Sequence, residues 1–238
     1  LVPSPPTIHN AFFSPAGDDH IVPSYSNWLN VTLDDANGLE DIEGITIDFG
    51  QGIQLDWLQN GELISNDVDI IVESFSLTAD IDDVSGSGGS GVADDSGSTS
   101  GLSESRLHLN VSFSVTPNFT PILDSGIIEI HVSDSSGVRT LGAGLTWQFN
   151  ADIMLVEYSV ILLADDTLLI DDDYVSAGSR LTMSGRVRYS VADLAPPIDS
   201  YDIRLDVPLD SPLPVETNPS GWFSGEMDAL GSGLYSVT

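Results

Sequence analysis

The sequence predicts an all-β protein organised as two tandem β-sandwiches. Apolar and polar residues alternate with a period of two along most of the chain, the pattern of half-buried strands. No window of a dozen residues carries an apolar stripe at helical spacing. The 22 glycines and 13 prolines fall between the alternating runs, where turns need them.

Strands are expected at 8–13, 28–33, 43–49, 52–58 and 68–79. The clearest run is 105–116, where Leu107, Leu109, Val111, Phe113 and Val115 alternate with His108, Asn110, Ser112, Ser114 and Thr116. Runs at 126–133 and 143–150 follow, the second with Leu145, Trp147 and Phe149 on one face. Further strands are expected at 153–163, 167–171, 179–190, 200–207, 213–217, 221–227 and 233–238. This density of short strands is the spacing of β-sandwiches. Residues 1–7 read as a Pro-rich linker, 8–151 as the first domain and 152–238 as the second. The break is set at Ala151-Asp152, where one alternating run has closed and the next begins. Residues 82–104 are a Gly/Ser/Asp low-complexity stretch, expected to be a flexible hairpin loop. Its glycines do not form a phosphate cradle, because no Lys and no helix follow them.

Charge bounds the setting. The chain has 28 Asp, 9 Glu, 6 Arg and no Lys, for a net charge of -31. Self-repulsion on that scale destabilises a compact state, and a Debye length of about 3 Å at 1 M salt removes most of it. The composition suits a salty medium, although a GC-rich genome would also deplete Lys. It argues against nucleic acid and anionic membrane surfaces as partners. At 41% hydrophobic residues the chain is not a disordered acidic tail. With no cysteine there is no disulfide framework and no thiolate metal site. The longest apolar run, Ile153–Ala164, is too short to span a bilayer, so no direct membrane insertion is expected. The opening Leu1-Val2-Pro3 and a strand-like ending suggest a mature or excised piece of a longer protein.

The candidate metal ligands are Asp34, Asp35, Asn37 and Asp41, an oxygen-rich segment around Gly38. Calcium takes six to eight oxygens, often from acidic loops. The segment is not an EF-hand: with Gly38 sixth, the first and twelfth positions are Leu33 and Gly44. A polar inter-strand turn is the alternative reading. No cofactor is required by the sequence, and Ca²⁺ is the one candidate. Asn30, Asn110 and Asn118 open Asn-x-Ser/Thr sequons and are candidate glycosylation sites, all expected to face outward. The four histidines, His9, His20, His108 and His131, are scattered and form no metal or catalytic pair in sequence. No catalytic residue is assigned, and the chain is not read as an enzyme.

Val31–Ile42 resembles a strand and turn common in immunoglobulin-like repeats of archaeal and bacterial surface proteins. In the second half, Ser184–Val187, Pro196-Pro197, Tyr201–Leu205, Thr217–Phe223 and Gly233–Thr238 are similar, in order, to immunoglobulin-like and prealbumin-like repeats. The likeness covers most of 179–238 and only a short part of the first domain. It implies tandem Ig-like β-sandwiches, without the immunoglobulin cysteine pair and with no active site to carry over. The leading expectation is therefore a non-catalytic extracellular structural module at the cell surface of a salt-adapted organism, an archaeon. Surface-layer, stalk, pilus-like filament and adhesin proteins are its contexts. Its partners would be other domains of a longer parent chain, other surface proteins, or glycans. The alternative is a carbohydrate- or ligand-binding module of a secreted enzyme or viral spike. Exposed aromatics would favour it, with Trp28, Trp57, Trp147 and Trp222 the ones in question and Trp57 and Trp222 near strand ends.

Overall fold

Alternation at period two places every second side chain on one face of a strand, so each run buries one face against a second sheet. The computed structural model describes residues 6–17, 19–35, 39–59, 61–79, 105–141, 145–162, 166–169, 178–196, 203–206, 213–215, 218–228 and 236–237. The 82–104 segment, Asn37 and the first five residues of the Pro-rich stretch lie outside these. The fold is all-β, with five sheets among the described residues. The chain divides into two compact units. Unit 1 comprises Leu1–Ile21 and Tyr25–Phe149, and unit 2 comprises Val22–Ser24 and Asn150–Thr238.

Unit 1 holds β1 (Thr7–Ser14), β2 (His20–Ile21), β3 (Asn27–Asp35), β4 (Ile42–Asp48), β5 (Gln54–Leu58), β6 (Ile64–Ser65), β7 (Ile70–Ala79), β8 (Ser105–Val115), β9 (Ser125–Ile127), β10 (Glu129–Asp134), β11 (Gly137–Leu141) and β12 (Thr146–Phe149). A short 3-10 turn, Leu39–Asp41, lies between β3 and β4. The strands form sheets in the orders β1-β3-β8-β7, β11-β10-β4-β5-β6 and β2-β12-β9. The two larger sheets are antiparallel throughout, and among the described residues only β2 with β12 is parallel.

The register between β3 and β8 sets the core. Leu29, Val31 and Leu33 lie opposite Val111, Leu109 and Leu107, and all six are buried. Ile45 and Ile47 of β4, Leu55 and Trp57 of β5, and Ile130 and Val132 of β10 complete the same cluster from the other sheet. Each such side chain contributes about 1.5–3 kcal/mol on burial. Trp147 sits at one end of this core, 1% exposed, and its indole N–H donates to the Phe49 carbonyl at 2.8 Å. Phe49 in turn meets Phe113 edge-on at 5.2 Å. The indole lies over Gly126, its partner across β9 and β12, where a Cβ would fall 2.5 Å from Nε1 and 2.9 Å from the Phe49 oxygen. Glycine is needed there by close approach, not by an unusual φ.

Unit 2 holds β13 (Ile153–Leu162), β14 (Thr167–Leu169), β15 (Arg180–Tyr189), β16 (Ile203–Asp206), β17 (Leu213–Val215), β18 (Trp222–Asp228) and β19 (Ser236–Val237). Its sheets run β14-β13-β15-β18 and β17-β16-β19. On β15, Leu181, Met183, Val187 and Tyr189 are buried while Thr182, Ser184, Arg186 and Arg188 are partly exposed. The Tyr189 hydroxyl donates to the Pro23 carbonyl at 3.3 Å, which ties the short Val22–Ser24 segment to this unit.

Three strands were not foreseen by alternation: β2 and β6, each two residues long, and β11. The 126–133 run is one strand by pattern, yet it divides at Ile128 into β9 and β10, which join different sheets. The Ile128 amide turns to the Leu145 carbonyl at 2.9 Å, which closes the break.

The Trp147 seat makes a clear expectation. Gly126→Ala should cost about 1–3 kcal/mol through overpacking. Trp147→Phe should cost a similar ~1–3 kcal/mol by leaving the buried Phe49 carbonyl without a donor. Urea denaturation followed by far-UV circular dichroism measures both, and an unchanged midpoint for Gly126→Ala would show that the indole is not seated on this glycine.

Candidate metal centre

The inward parity of β3 does not stop at its last leucine. Leu29, Val31 and Leu33 are followed two residues on by Asp35, which is 1% exposed. On β10 the inward series Ile130 and Val132 is followed by Asp134, 5% exposed. Two strands of different sheets thus each end by turning a carboxylate inward. Asp41 closes the 3-10 turn on the connection that carries the chain from the sheet of β3 to the sheet of β10. The three residues each offer a carboxylate oxygen, and these oxygens lie within 4.8 Å of one another.

Local hydrogen bonds hold Asp134 in place. Its Oδ1 accepts from the Ser136 amide at 2.8 Å, the Ser136 hydroxyl at 2.7 Å and the Gly137 amide at 2.9 Å. Its Oδ2 is buried and receives no donor. The Ser135 hydroxyl donates to Asp41 Oδ1 at 3.1 Å, so the β10–β11 turn supports two of the three carboxylates. Asp35 and Asp41 also have interactions of their own. Like charges at this separation repel by about 3 kcal/mol per pair at an effective dielectric of about 20. Donors of this kind, all carboxylate oxygens, match a hard divalent cation. Burial of Asp35 and Asp134 keeps them from a bulky substrate, so they do not serve as an open pair of acid–base groups.

The sequence-proposed ligands separate in the fold. Asp35 and Asp41 come together. Asp34, one residue out of parity, faces the other side of β3 and pairs there with His9 Nε2 at 2.5 Å and Arg106 Nε at 3.1 Å. Asn37 lies outside the described residues. Asp134, far away in sequence, was missed by searching for ligands within one acidic segment. The usable signal was an Asp standing where an apolar alternation called for another Ile or Val. Burial works against the charge on Asp34, but hydrogen bonds from Arg106 and His9 and their positive charge outweigh it and hold its carboxyl below the ordinary range. Of the other histidines, His131 lies 3.7 Å from Glu129 and half-buried, while His108 faces away from the core on β8.

The sequons are unequal. Asn30 and Asn110 are directly opposite each other on β3 and β8, and both are half-buried. Cross-strand pairs place their Cβ atoms about 5 Å apart, so two glycans would compete for the same space. Asn118 is exposed in the turn after β8. The tryptophans also divide. Trp57, one of the tryptophans in question, is buried at 8% exposure and stacks on Phe75 at 5.6 Å although it lies near a strand end. Trp28 and Trp222 are exposed, and Trp222 lies 5.8 Å beneath the Arg186 guanidinium.

No protein-family profile matches the chain, and no curated protein matches it. Solved structures similar to it include the 35 kDa C-terminal fragment of the major pilin of Streptococcus agalactiae, at 9% identity and TM-score 0.33, covering 94% of this chain and 79% of that one. The C-terminal domain of the Streptococcus pyogenes antigen I/II-family protein AspA is similar at 10% identity and TM-score 0.31, over 94% of this chain and 84% of that one. The major pilin subunit of Bacillus cereus, BcpA, is similar at 8% identity and TM-score 0.30, over 89% and 67%. At these TM-scores the likeness carries no functional argument.

Two outcomes are expected. Because the Asp34 carboxyl is held below its ordinary value of 3.8, its ion pair stabilises the fold above that pH and is lost as the pH falls through the lower folded value. Arg106→Ala should therefore be less stable than the parent near neutral pH, by less than about 1 kcal/mol since Arg106 is exposed, and the gap should close on acidification. Urea midpoints across pH measure it, and a gap that widens in acid would contradict it. Where the source cell glycosylates its surface, peptide mass spectrometry should find glycan at Asn118 and not at Asn30 and Asn110 together on one molecule.

Proposed function

We propose that this chain is a non-catalytic extracellular module of a longer surface protein, a surface-layer, stalk, pilus-like or adhesin component, from a salt-adapted organism. Its domains are 8–151 and 152–238, and its work is to space and present other parts of the parent chain. The observation that carries the reading is the placement of charge. The net charge is -31, yet among the described residues the only buried acids are Asp35 and Asp134. Nearly all the described acids therefore form a hydrated outer layer over an apolar β core. Such a layer is self-repelling in dilute buffer and stable in salt, which fits a protein facing a saline exterior.

One observation favours the second reading, a ligand- or carbohydrate-binding module. Phe12 lies opposite Asn30 and Trp28 opposite Ser14 across β1 and β3, so the two aromatic rings are diagonal neighbours on the outer face. They are 59% and 48% exposed, enough to stack on a sugar ring.

Melting curves at low and at about 1 M NaCl test the first reading, since the Debye length there falls to about 3 Å. The melting temperature should rise by several degrees, each kcal/mol being worth about 2–4 °C at this size. A melting temperature flat in NaCl would remove salt adaptation. A glycan array decides the second reading: binding abolished by Trp28→Ala would make recognition, and not spacing, the function.

A further inference from the structure

We infer that Asp35, Asp41 and Asp134 form a calcium site that fastens the ends of β3 and β10 to the turn crossing between their sheets. Three independent observations converge on it. The three carboxylates present oxygens within 4.8 Å of one another although they come from two sheets and the connection between them. Asp134 is 95% buried by its 5% exposure, and its Oδ2 has no donor while its Oδ1 is fully engaged by the following turn. The turn thus orients the free oxygen without satisfying it, as a ligand's supporting hydrogen bonds do. Finally, β10 and β3 each place an Asp where inward parity demands an apolar side chain. A burial of like charges at that point is stabilised by a bound cation and by nothing the apolar core can offer.

The donor set selects the ion. Carboxylate oxygens without nitrogen or sulfur suit calcium or magnesium and disfavour zinc and copper. Magnesium demands near-ideal octahedral geometry and keeps its waters, whereas calcium accepts irregular sets of six to eight oxygens, some from bidentate carboxylates. Carboxylates brought together from two strand ends and a turn make an irregular set, which fits the second description. The inference goes beyond the surface-module reading and does not depend on it: loss of the calcium effect would leave the NaCl dependence intact, and the reverse also holds.

The test is isothermal titration of the chelator-treated chain with CaCl₂, alongside melting curves in chelator, CaCl₂, MgCl₂ and NaCl of matched ionic strength. One saturable calcium site is expected, with a melting temperature in CaCl₂ above that in the other salts, since a ligand of the folded state stabilises it by mass action. Asp134→Asn keeps Oδ1 for the turn and removes the charge. It should weaken calcium binding at least tenfold while leaving the melting temperature in chelator unchanged or higher. If that variant fails to fold, Asp41→Asn gives the same readout, and Glu62→Gln, on the exposed surface, should change nothing. Equal shifts in CaCl₂ and MgCl₂, no saturable binding, or an Asp134→Asn variant equally destabilised with and without calcium and unchanged in affinity would overturn the inference. The last result would assign Asp134 to the turn alone.

Discussion

The rest of unit 1 depends on the register of β3 against β8. Leu29, Val31 and Leu33 oppose Val111, Leu109 and Leu107. A slip of β3 by one residue would turn Leu29, Val31 and Leu33 to solvent and bring Asn30, Thr32 and Asp34 into the core. The burial of three large apolar side chains against the burial of three polar ones favours the observed register. The same register fixes everything functional on the sheet. It pairs Asp34 with Arg106 on the outer face, sets the two sequon asparagines side by side, and sends Asp35 inward.

That last consequence shows where packing and chemistry part company. Where no bulge intervenes, an alternating strand holds every position to the parity of the rest. If the chain needs a carboxylate at the inner end of the sandwich, the strand must carry it at a core position and bear its desolvation. Asp35 and Asp134 both occupy such positions, at the ends of their strands and not in the middle. At a strand end the connecting turns can supply support, as Ser136 and Gly137 do for Asp134. A Val or Ile at either place would remove the repulsion, but at 134 it would also leave the Ser136 and Gly137 amides without their acceptor. Asp134 thus serves the following turn through one oxygen, while the other lies in a cluster with the carboxylates of Asp35 and Asp41.

Much of the architecture was legible because alternation reports local geometry. The 105–116 and 179–190 runs read as strands from their own residues, and β8 and β15 occupy nearly the same spans. What alternation misses is any strand created by its neighbours. β2 and β6 are too short to show a period, and the division of 126–133 at Ile128 comes from the need to serve two sheets. The candidate site was half legible for the same reason. Asp35 and Asp41 share one acidic segment, while Asp134 arrives through a tertiary pairing of β10 with β4 that no local pattern announces. Asp34 looked equivalent to Asp35 in sequence, and a single step of strand parity separated a buried ligand from a surface ion pair. Trp57 shows that closeness to a strand end says little about exposure. Its indole N–H reaches the Gly61 carbonyl at 3.0 Å and its ring packs on Phe75, so the strand end is covered.

The acids thus fall into two populations governed by different physics. Those on the surface repel over distances comparable to a Debye length, and mobile ions of any kind relieve them. Asp35 and Asp134 are withdrawn from that atmosphere, where screening by salt is weak and compensation must come from specific hydrogen bonds or a specific positive charge. Adding surface Asp improves hydration in brine without touching the second population. Adding one buried Asp does the opposite, since it makes the fold sensitive to the identity of the cation and not to its concentration alone. A chain with 37 acids therefore does not respond to ions as a uniform polyanion. On the proposed reading, its outer charge would set how much salt the fold needs, and the few inward carboxylates would set which ion it answers to.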